Sequence, residues 1–336
     1  MGTIFPLSEK PSCFEGTLRL IEKSFGYQAP HSFQVDFAPL VDRSNHKNCF
    51  IMLDENENVL AHIGTKDRIL PIGNEKFIIT MLGGIAVDER FRGKGYFKTL
   101  MLDVLAEKKS ETTLFLLWSD KEKLYKEFGF YLCGNQFEVE SEKRPIDFTK
   151  TKYHLLSESK KKEIQDLYQK SFAKFYLTLE RNQADWQMIE QTTSADLYTQ
   201  STGTKITDYF FMNKGQDLPG IIYEYGSTGE LNELIETISH FGKTWVGKPV
   251  IKTENAQYQF LMTSGDLRLF TQFVLQLTQG KISIRNLNLM KQEVYFDFNE
   301  ELLGLNLDEF LRGLFGPGTF EELDLPALYL SGLESI

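Results

Sequence analysis

A glycine-containing basic segment lies between an apolar stretch and a helical pattern, and it reads VDERFRGKGY over residues 87–96. A turn from a strand into a helix aims unpaired backbone N–H groups outward, at the positive end of the helix dipole. Glycines at such a turn let an anion approach the backbone closely. Because Arg90, Arg92 and Lys94 add positive charge to an otherwise acidic chain, the segment predicts a site for a phosphate or pyrophosphate.

The elements that must position this segment follow from the hydrophobic pattern. The apolar run 77–87 predicts a central strand covered on both faces, and its Gly83-Gly84 pair indicates a bulge or the close approach of a ligand. Apolar residues at helical spacing predict a helix over 96–109. The apolar run 114–118 predicts a buried strand parallel to the first, because the helix between them serves as a crossover.

Further elements are predicted on both sides of this unit, at 13–26 (helix), 48–53 and 59–70 (hairpin) and 130–140 (strand). Ser119 and Glu122 have the spacing of a capping box, which predicts a short helix that ends at Gly129.

The pattern restarts after Pro145, so we place a domain boundary near residue 147. The second half repeats the order helix, hairpin, helix, which favours duplication as a hypothesis, although no sequence repeat is exact. Its predicted elements are helices at 158–174, 183–192, 227–240, 265–279 and 307–314, a hairpin at 206–215 and 221–226, and strands at 281–286 and 293–298.

Two common phosphate-binding loops are excluded by spacing. The pattern GxxxxGK followed by Ser or Thr is absent, and GxGxxG fails because no third glycine follows Gly95. What remains, Arg90-x-x-Gly93-x-Gly95, resembles the R/Q-x-x-G-x-G/A signature of the GCN-five-related N-acetyltransferases, the GNAT superfamily. A second segment, LYKEFGF at 124–130, is similar to the LYxxxGF segment of that family. The resemblance covers most of residues 12–140.

This resemblance implies a fold, a cofactor and a set of site residues. The implied fold class is α/β (α+β), with the mixed central sheet of the GNAT fold flanked by helices and followed by a second GNAT-like α/β domain. Acetyl-CoA is the implied cofactor, and Tyr125 would donate a proton to the departing thiolate of coenzyme A. The implied cofactor-binding residues are Ile85, Ala86 and Val87, which would pair with the pantetheine arm, and Arg92, Gly93, Lys94, Gly95 and Tyr96, which would hold the pyrophosphate.

The whole chain resembles two-domain bacterial GNAT proteins related to the enhanced-intracellular-survival acetyltransferases. The segments that carry this resemblance are DLPGIIYE at 217–224 and the tail LPALYLSGLESI at 325–336, which is similar to a closing PLPxxxxGLDSI segment. The implied division is an acetyltransferase domain at 1–147 and a degenerate GNAT-like domain at 148–336 that shapes the acceptor site. Because the second half has no RxxGxG pattern, no second acetyl-CoA site is predicted.

The sequence leaves the general base open. The predicted strand at 77–87 contains no carboxylate. The candidates for the general base are therefore His62, Asp120, a water relay or the chain terminus at Ile336. Cys133 has no histidine near it in sequence, and a buried unreactive thiol is the simpler interpretation. Direct transfer of the acyl group is therefore favoured over a covalent acyl-enzyme.

Composition excludes several classes of protein. The 336 residues are 41% hydrophobic and 25% charged, which is typical of a folded globular chain. A net charge of −10 argues against nucleic acid or an anionic membrane as a partner, and it suits an amine-bearing one. The three widely spaced cysteines indicate a reducing cytoplasm, and the five histidines lack metal-ligand spacing, so no metal is expected. We expect neither a signal peptide nor a membrane span.

These observations predict an acetyl-CoA-dependent N-acetyltransferase that transfers the acetyl group directly to a primary amine on a small molecule or a peptide. Two alternatives stay open, a non-catalytic coenzyme A-binding or regulatory protein and a transferase of a longer acyl group. The acceptor's identity and the oligomeric state are not predicted.

Overall fold

The first half of the chain supplies six strands and five helices to the structure, a computed structural model that describes residues 2–139, 147–250, 254–288, 291–318, 320 and 322–336. Its strands are β1 (Thr3–Pro6), β2 (Cys49–Leu53), β3 (Val59–Ile72), β4 (Glu75–Val87), β5 (Leu114–Leu117) and β6 (Tyr131–Val139). Its helices are α1 (Phe14–Phe25), α2 (Phe33–Asp36), α3 (Ala38–Val41), α4 (Tyr96–Lys108) and α5 (Glu122–Lys126).

The second half continues the numbering. Its described strands are β7 (Thr149–Thr151), β8 (Asp196–Thr202), β9 (Lys205–Met212), β10 (Ile221–Ser227), β11 (Lys243–Val246), β12 (Glu254–Ser264), β13 (Ile282–Asn288), β14 (Glu293–Phe298) and β15 (Glu301–Asn306). Its described helices are α6 (Glu158–Leu167), α7 (Ala173–Phe175), α8 (Gln183–Gln191), α9 (Leu231–Ile238), α10 (Leu267–Leu277) and α11 (Leu307–Phe315), and a π-helical turn, Tyr168–Phe172, joins α6 to α7.

One mixed sheet runs through both halves, in the order β1-β2-β3-β4-β5-β12-β6-β11-β10-β9-β8-β7. The pairs β4–β5 and β10–β11 are parallel, and each is connected through a helix, α4 or α9. The other described pairs are antiparallel, and β13, β14 and β15 form a separate small sheet. The predicted α/β class, with a mixed sheet flanked by helices, is confirmed.

Strand β12 lies between β5 and β6, although it comes from the second half of the chain. It pairs antiparallel with both neighbours, for example Leu261 with Leu117 and Phe260 with Cys133. No strand was predicted at 254–264, because a strand without strict alternation has only a weak local signal. The predicted boundary near residue 147 adjoins 140–146, which lie outside the described residues, and the division stays a prediction.

The two halves also share a hydrophobic core. One buried cluster joins Leu18 of α1 and Ile79 of β4 to Phe273 of α10 and Phe310 of α11. Helices of the second half therefore cover part of the sheet that carries the predicted anion-binding turn, residues 87–96. Within the described ranges, no helix is long and apolar enough to cross a membrane.

The local signals around the turn are largely confirmed. Helix α1 ends at Gly26, which has a left-handed φ of 68°, and α4 buries Leu100, Met101 and Val104 as the periodicity predicted. The capping box at Ser119 is wrong. Ser119 Oγ accepts a hydrogen bond from the N–H of Lys121, and α5 begins only at Glu122, so Glu122 is not in the third helical position that the motif needs.

Candidate active site

The parallel strands β4 and β5 separate toward their carboxyl ends. Their pairing ends at Leu82 and Leu117, and β4 continues to Val87 without β5 beside it. The segment 83–87 pairs with β3 on one side and has no described strand on the other. Ile85, Ala86 and Val87, the predicted pantetheine-binding residues, all lie in this segment. Its free backbone groups are available to an extended ligand.

A β-bulge bends β4 where this free segment begins. The register between β3 and β4 shifts between His62 and Gly64, and Gly84 has a φ of 58°. An L side chain is strained in that conformation, which explains the glycine. The Nδ1 of His62 lies 2.7 Å from the carbonyl oxygen of Gly84 and donates its proton to it, which ties the bulge to β3. The bulge predicted at Gly83-Gly84 is confirmed.

The chain then turns into α4 through two glycines with positive φ. Gly93 has a φ of 75° and Gly95, the N-cap of α4, has a φ of 83°. A Cβ placed on either residue would meet no other atom within 4 Å, so the space in front of the turn is open. The backbone conformation, rather than crowding, is what requires glycine here.

Backbone N–H groups around this turn lack partners. Over residues 93–98, none donates a hydrogen bond to another residue in the described part of the chain, and the first helical bond runs from Thr99 N to Gly95 O at 2.9 Å. Unsatisfied donors at the positive end of a helix form an anion-binding site. The N–H groups of Gly93, Lys94, Gly95 and Tyr96 belong to this set. The N–H of Arg92 does not, because it donates to Glu89 O at 3.4 Å.

The basic side chains of the turn differ in how firmly they are held. Arg90 donates to the carboxylate of Asp88 through Nε at 3.0 Å and Nη2 at 2.6 Å, and this contact lowers the pKa of Asp88 to about 2. Arg92 donates weakly to Val87 O at 3.3 Å, and Lys94 Nζ lies 4.7 Å from the centre of the Phe91 ring. Asp88 therefore balances the charge of Arg90, and Arg92 and Lys94 supply the turn's unbalanced positive charge.

Tyr125 lies next to the first turn of α4. Its ring packs edge-on against Phe97, with 5.8 Å between ring centres, and the residue is 6% exposed. Ser119, two residues beyond the end of β5, lies near its hydroxyl group and opposes the rise of its pKa. Burial raises the pKa of Tyr125 to about 12, so the phenol is protonated at neutral pH.

The other candidate catalytic residues, His62, Asp120 and Cys133, differ in burial and in pKa. Burial lowers the pKa of His62 to about 4, and its Nε2 has no partner among the described residues. Asp120 is exposed beside Tyr125. The Cys133 thiol is buried, as predicted, and burial raises its pKa. Across the described ranges, no three His, Cys, Asp or Glu side chains come together as metal ligands.

The tail of the chain reaches the separated strands. A Cβ on Gly83 would overlap the main-chain carbonyl group of Ile336, so residue 336 lies directly against β4 at the bulge. In a chain that ends at Ile336, that group is a carboxylate. Among the base candidates left open by the sequence, the structure thus brings Ile336 to the free segment of β4. No local signal in the sequence reveals this contact, which joins residues more than 250 positions apart.

Buried ion pairs hold the tail in this position. Glu334 pairs with Arg68 of β3, and its Oε1 accepts from Arg181 Nε at 2.6 Å. Arg181 also donates to both carboxylate oxygens of Glu224 on β10, at 3.0 and 2.5 Å. The tail residue Glu334 therefore links a strand of the first half to the second half.

Lys214 also holds the tail in position. Lys214 is buried, and its Nζ donates to Gly332 O at 2.9 Å, to Ser335 O at 2.8 Å and to Ser335 Oγ at 2.7 Å. All three ammonium protons are thus committed to the tail. The last turn before Ile336 is fixed from both sides.

A cavity of about 450 Å³ opens beside Ile336. Its wall includes Trp118, just past β5, and residues from α1, the segment after β9 and the tail. Because Trp118 follows β5 and Ile336 lies on β4, the cavity borders the separated strands. A second ligand can therefore reach the separated ends of β4 and β5 through this cavity, on the side that the second half of the chain encloses.

Residues 8–133 match the family model of the acetyltransferase (GNAT) domain. Among curated proteins, none matches the sequence significantly. The matched range includes the bulge, the anion-binding turn and Tyr125.

Solved structures share the fold over most of the chain. A GCN5-related N-acetyltransferase from Anabaena variabilis is 13% identical, with a TM-score of 0.56 over 91% of this chain and 85% of that chain. Eis1 from Mycobacterium abscessus is 10% identical, with the same TM-score and coverage. A conserved protein of unknown function from Enterococcus faecalis is 14% identical, with a TM-score of 0.57 over 81% of this chain and 74% of that chain. At these identities the likeness is one of fold, and it extends beyond residues 8–133, the part of the chain that matches the acetyltransferase (GNAT) domain.

Proposed function

We propose that this protein transfers the acetyl group of acetyl-CoA directly to a primary amine, in a reducing cytoplasm. The pyrophosphate of the cofactor binds the free N–H groups at residues 93–96, and Arg92 and Lys94 supply positive charge around it. The pantetheine arm pairs with the free side of β4 at 85–87. The open space in front of Gly93 and the unpartnered donors behind it fit such a ligand.

The cofactor supplies the acyl group as a thioester, and the chain's own residues manage two protons. Tyr125 stays protonated at neutral pH and donates its proton to the departing sulfur. In a chain that ends at Ile336, the carboxylate of that residue accepts a proton from the attacking amine. A bond forms between the amine nitrogen and the acetyl carbon, the carbon–sulfur bond breaks, and no acyl-enzyme is needed.

The observation that carries this proposal is the meeting of three features at one place. The free segment of β4 leads into the unpartnered N–H groups, Ile336 lies against that segment, and the cavity borders both. A non-catalytic coenzyme A-binding protein needs only the first of these features. The cavity beside the tail favours an enzyme.

Calorimetric titration with coenzyme A tests the binding half of the proposal. In Gly93→Val a β-branched side chain strains the turn and blocks the approach of the ligand, so we expect affinity to fall by about tenfold or more. Lys94→Ala should cost at most a few-fold, because the backbone donors remain.

Gly73→Val is the matched control, because Gly73 also has a positive φ, 59°, and equally open surroundings, but lies in the turn between β3 and β4. Its affinity should equal that of the wild type. If Gly93→Val binds coenzyme A as the wild type does, the cofactor site lies elsewhere.

A further inference from the structure

The cavity beside Ile336 has walls that are mainly aromatic. It is lined by rings from the first half, from the end of β5 and from β11, namely Phe25, Tyr27, Phe37, Trp118 and Trp245. Of these, only Phe37 is fully buried, so the other rings present surface to the cavity or to solvent. Aromatic walls favour a flat or apolar body, and ring faces also attract cations.

One carboxylate among these rings has no partner. Asp217 is an exposed residue of the cavity wall, and its side chain makes no hydrogen bond or ion pair with another residue of the described chain. Burial raises its pKa, the positive charge of Lys214 opposes that shift and Asp36 adds to it. A carboxylate that has no protein partner and lies beside aromatic rings is available to a cationic ligand.

The nearest cation in the fold cannot serve as that partner. Lys214 directs its three ammonium protons to Gly332 and Ser335. The second carboxylate, Asp36, is engaged through Oδ2, which accepts from Tyr27 at 2.9 Å and from Gln216 N at 3.1 Å. Its Oδ1 is buried and unpartnered, so two carboxylates, Asp36 and Asp217, share the charge of a single cation, Lys214.

A second polar group of the wall is also unpartnered. The amide of Gln136 on β6 makes no side-chain hydrogen bond within the described chain, and the residue is 7% exposed. A primary amide offers both donors and an acceptor. The cavity therefore combines a large apolar wall with one anionic group and one neutral polar group, which is the usual make-up of a small-molecule site.

We propose that this cavity binds a compact organic amine as its ammonium ion, with the charge against Asp217 and an apolar or aromatic body between the rings. That this amine is the acetyl acceptor rests on the proposed function, whereas its binding does not. A volume of about 450 Å³ suits one small molecule. An extended polycation fits poorly, because each additional buried charge would lack a partner.

Binding measured without coenzyme A tests this proposal separately from the transfer reaction. Trp118 and Trp245 are two of the chain's three tryptophans, so a ligand in the cavity should change the tryptophan fluorescence. The probes are 2-phenylethylamine, its neutral analogue 2-phenylethanol, the polyamine spermidine and an aminoglycoside. N-acetyl-lysine methylamide and a lysine-bearing peptide distinguish a free amine from a lysine side chain.

We expect 2-phenylethylamine to bind about tenfold or more tightly than 2-phenylethanol and more tightly than spermidine or the aminoglycoside, since a hydrogen bond to a charged group is worth about 1.5–3 kcal/mol. Asp217→Asn should remove the preference for the amine over the alcohol. Asp103→Asn is the control, because Asp103 is exposed on α4 and the net charge changes equally.

Several results would overturn the proposal: a preference for amines that survives Asp217→Asn, tighter binding of the polycations, or no binding by any probe. If the lysine compounds bind more tightly than 2-phenylethylamine, the apolar-body part of the proposal is wrong. If 2-phenylethylamine binds as expected but is never acetylated, the transfer reaction fails and the binding site stands.

Discussion

Two residues are assigned the proton transfers of the proposed reaction, and both are nearly buried. Tyr125 is enclosed between α4 and the end of β5, where burial raises its pKa to about 12. Ile336 lies against Gly83 at the bulge of β4. Tyr125 thus retains its proton at neutral pH, and in a chain that ends at Ile336 the main-chain carboxylate of that residue is the proposed proton acceptor.

The substitution Tyr125→Phe removes the proton donor but keeps the ring that packs on Phe97. General acid catalysis is worth roughly two to four powers of ten, so kcat should fall by that order while the Kd for coenzyme A changes little. Steady-state kinetics and calorimetry on the same preparation separate the two quantities. An equal loss in coenzyme A affinity would make Tyr125 a packing residue, and unchanged kcat would remove it from the mechanism.

The pH profile gives a second test of Tyr125. An acid must be protonated to act, and with a pKa of about 12 the phenol loses its proton only well above the usual pKa of a tyrosine, 10.0. The rate should therefore show no loss from tyrosine ionisation between about pH 7 and pH 10. A descending limb in that interval that disappears in Tyr125→Phe would show that Tyr125 ionises there and would contradict its raised pKa.

The role of Ile336 is tested by extending the chain. Addition of one glycine after Ile336 replaces its carboxylate with an amide and moves the terminal charge, so kcat should fall by roughly two or more powers of ten. Ile336→Val is the control, because it keeps a terminal carboxylate and a β-branched side chain. Equal rates for the extended chain and the control would exclude this carboxylate as the base.

At the scale of single elements, the tail is held by charges that are almost completely buried. Glu334 and Arg181 are both nearly inaccessible, and Arg68 is 7% exposed. Burial works against the charge of Glu334, but Arg68 and Arg181 hold its pKa below the usual value of 4.5. Removal of one partner from a buried pair leaves the other charge uncompensated, which costs about 3–5 kcal/mol.

Glu334→Gln should therefore lower the free energy of unfolding by roughly 3 kcal/mol, measured by denaturant titration. Because the folded-state pKa lies below the unfolded one, the contribution of Glu334 is present above about pH 4.5 and is lost as the pH falls. The variant should lose less stability than the wild type on acidification. Glu158→Gln, whose side chain is 83% exposed, is the control and should change stability by under about 0.5 kcal/mol.

The elements around the anion-binding turn could be predicted from the sequence because their signals are local. The apolar run of β4, the spacing of Leu100, Met101 and Val104 in α4, and the glycines of the turn each lie within a few residues of one another. Helix α5 shows the limit of such reasoning. Ser119 and Glu122 have the spacing of a capping box, yet Ser119 binds Lys121 instead and the helix starts later.

At the scale of the whole molecule, the candidate site is completed by contacts that sequence patterns do not contain. Strand β12 enters the sheet between β5 and β6, and the tail crosses from β10 and Arg181 to Gly83. Pairings between such distant segments depend on the complete fold, and they cannot be read from periodicity. Tyr125 was therefore identified by its motif, whereas Asp217 and Ile336 acquire a place in the site only in three dimensions.

The central claim is that acetyl-CoA and an amine meet where the separated strands border the cavity, and that the acetyl group passes directly between them. Mass spectrometry after incubation with acetyl-CoA carrying an isotope-labelled acetyl group, together with 2-phenylethylamine and other primary amines, tests this claim most directly. We predict the labelled acetamide of at least one amine, with one free thiol released per acetamide and no label on the protein. Label found on the protein, or only on coenzyme A across the amine panel, would contradict the account.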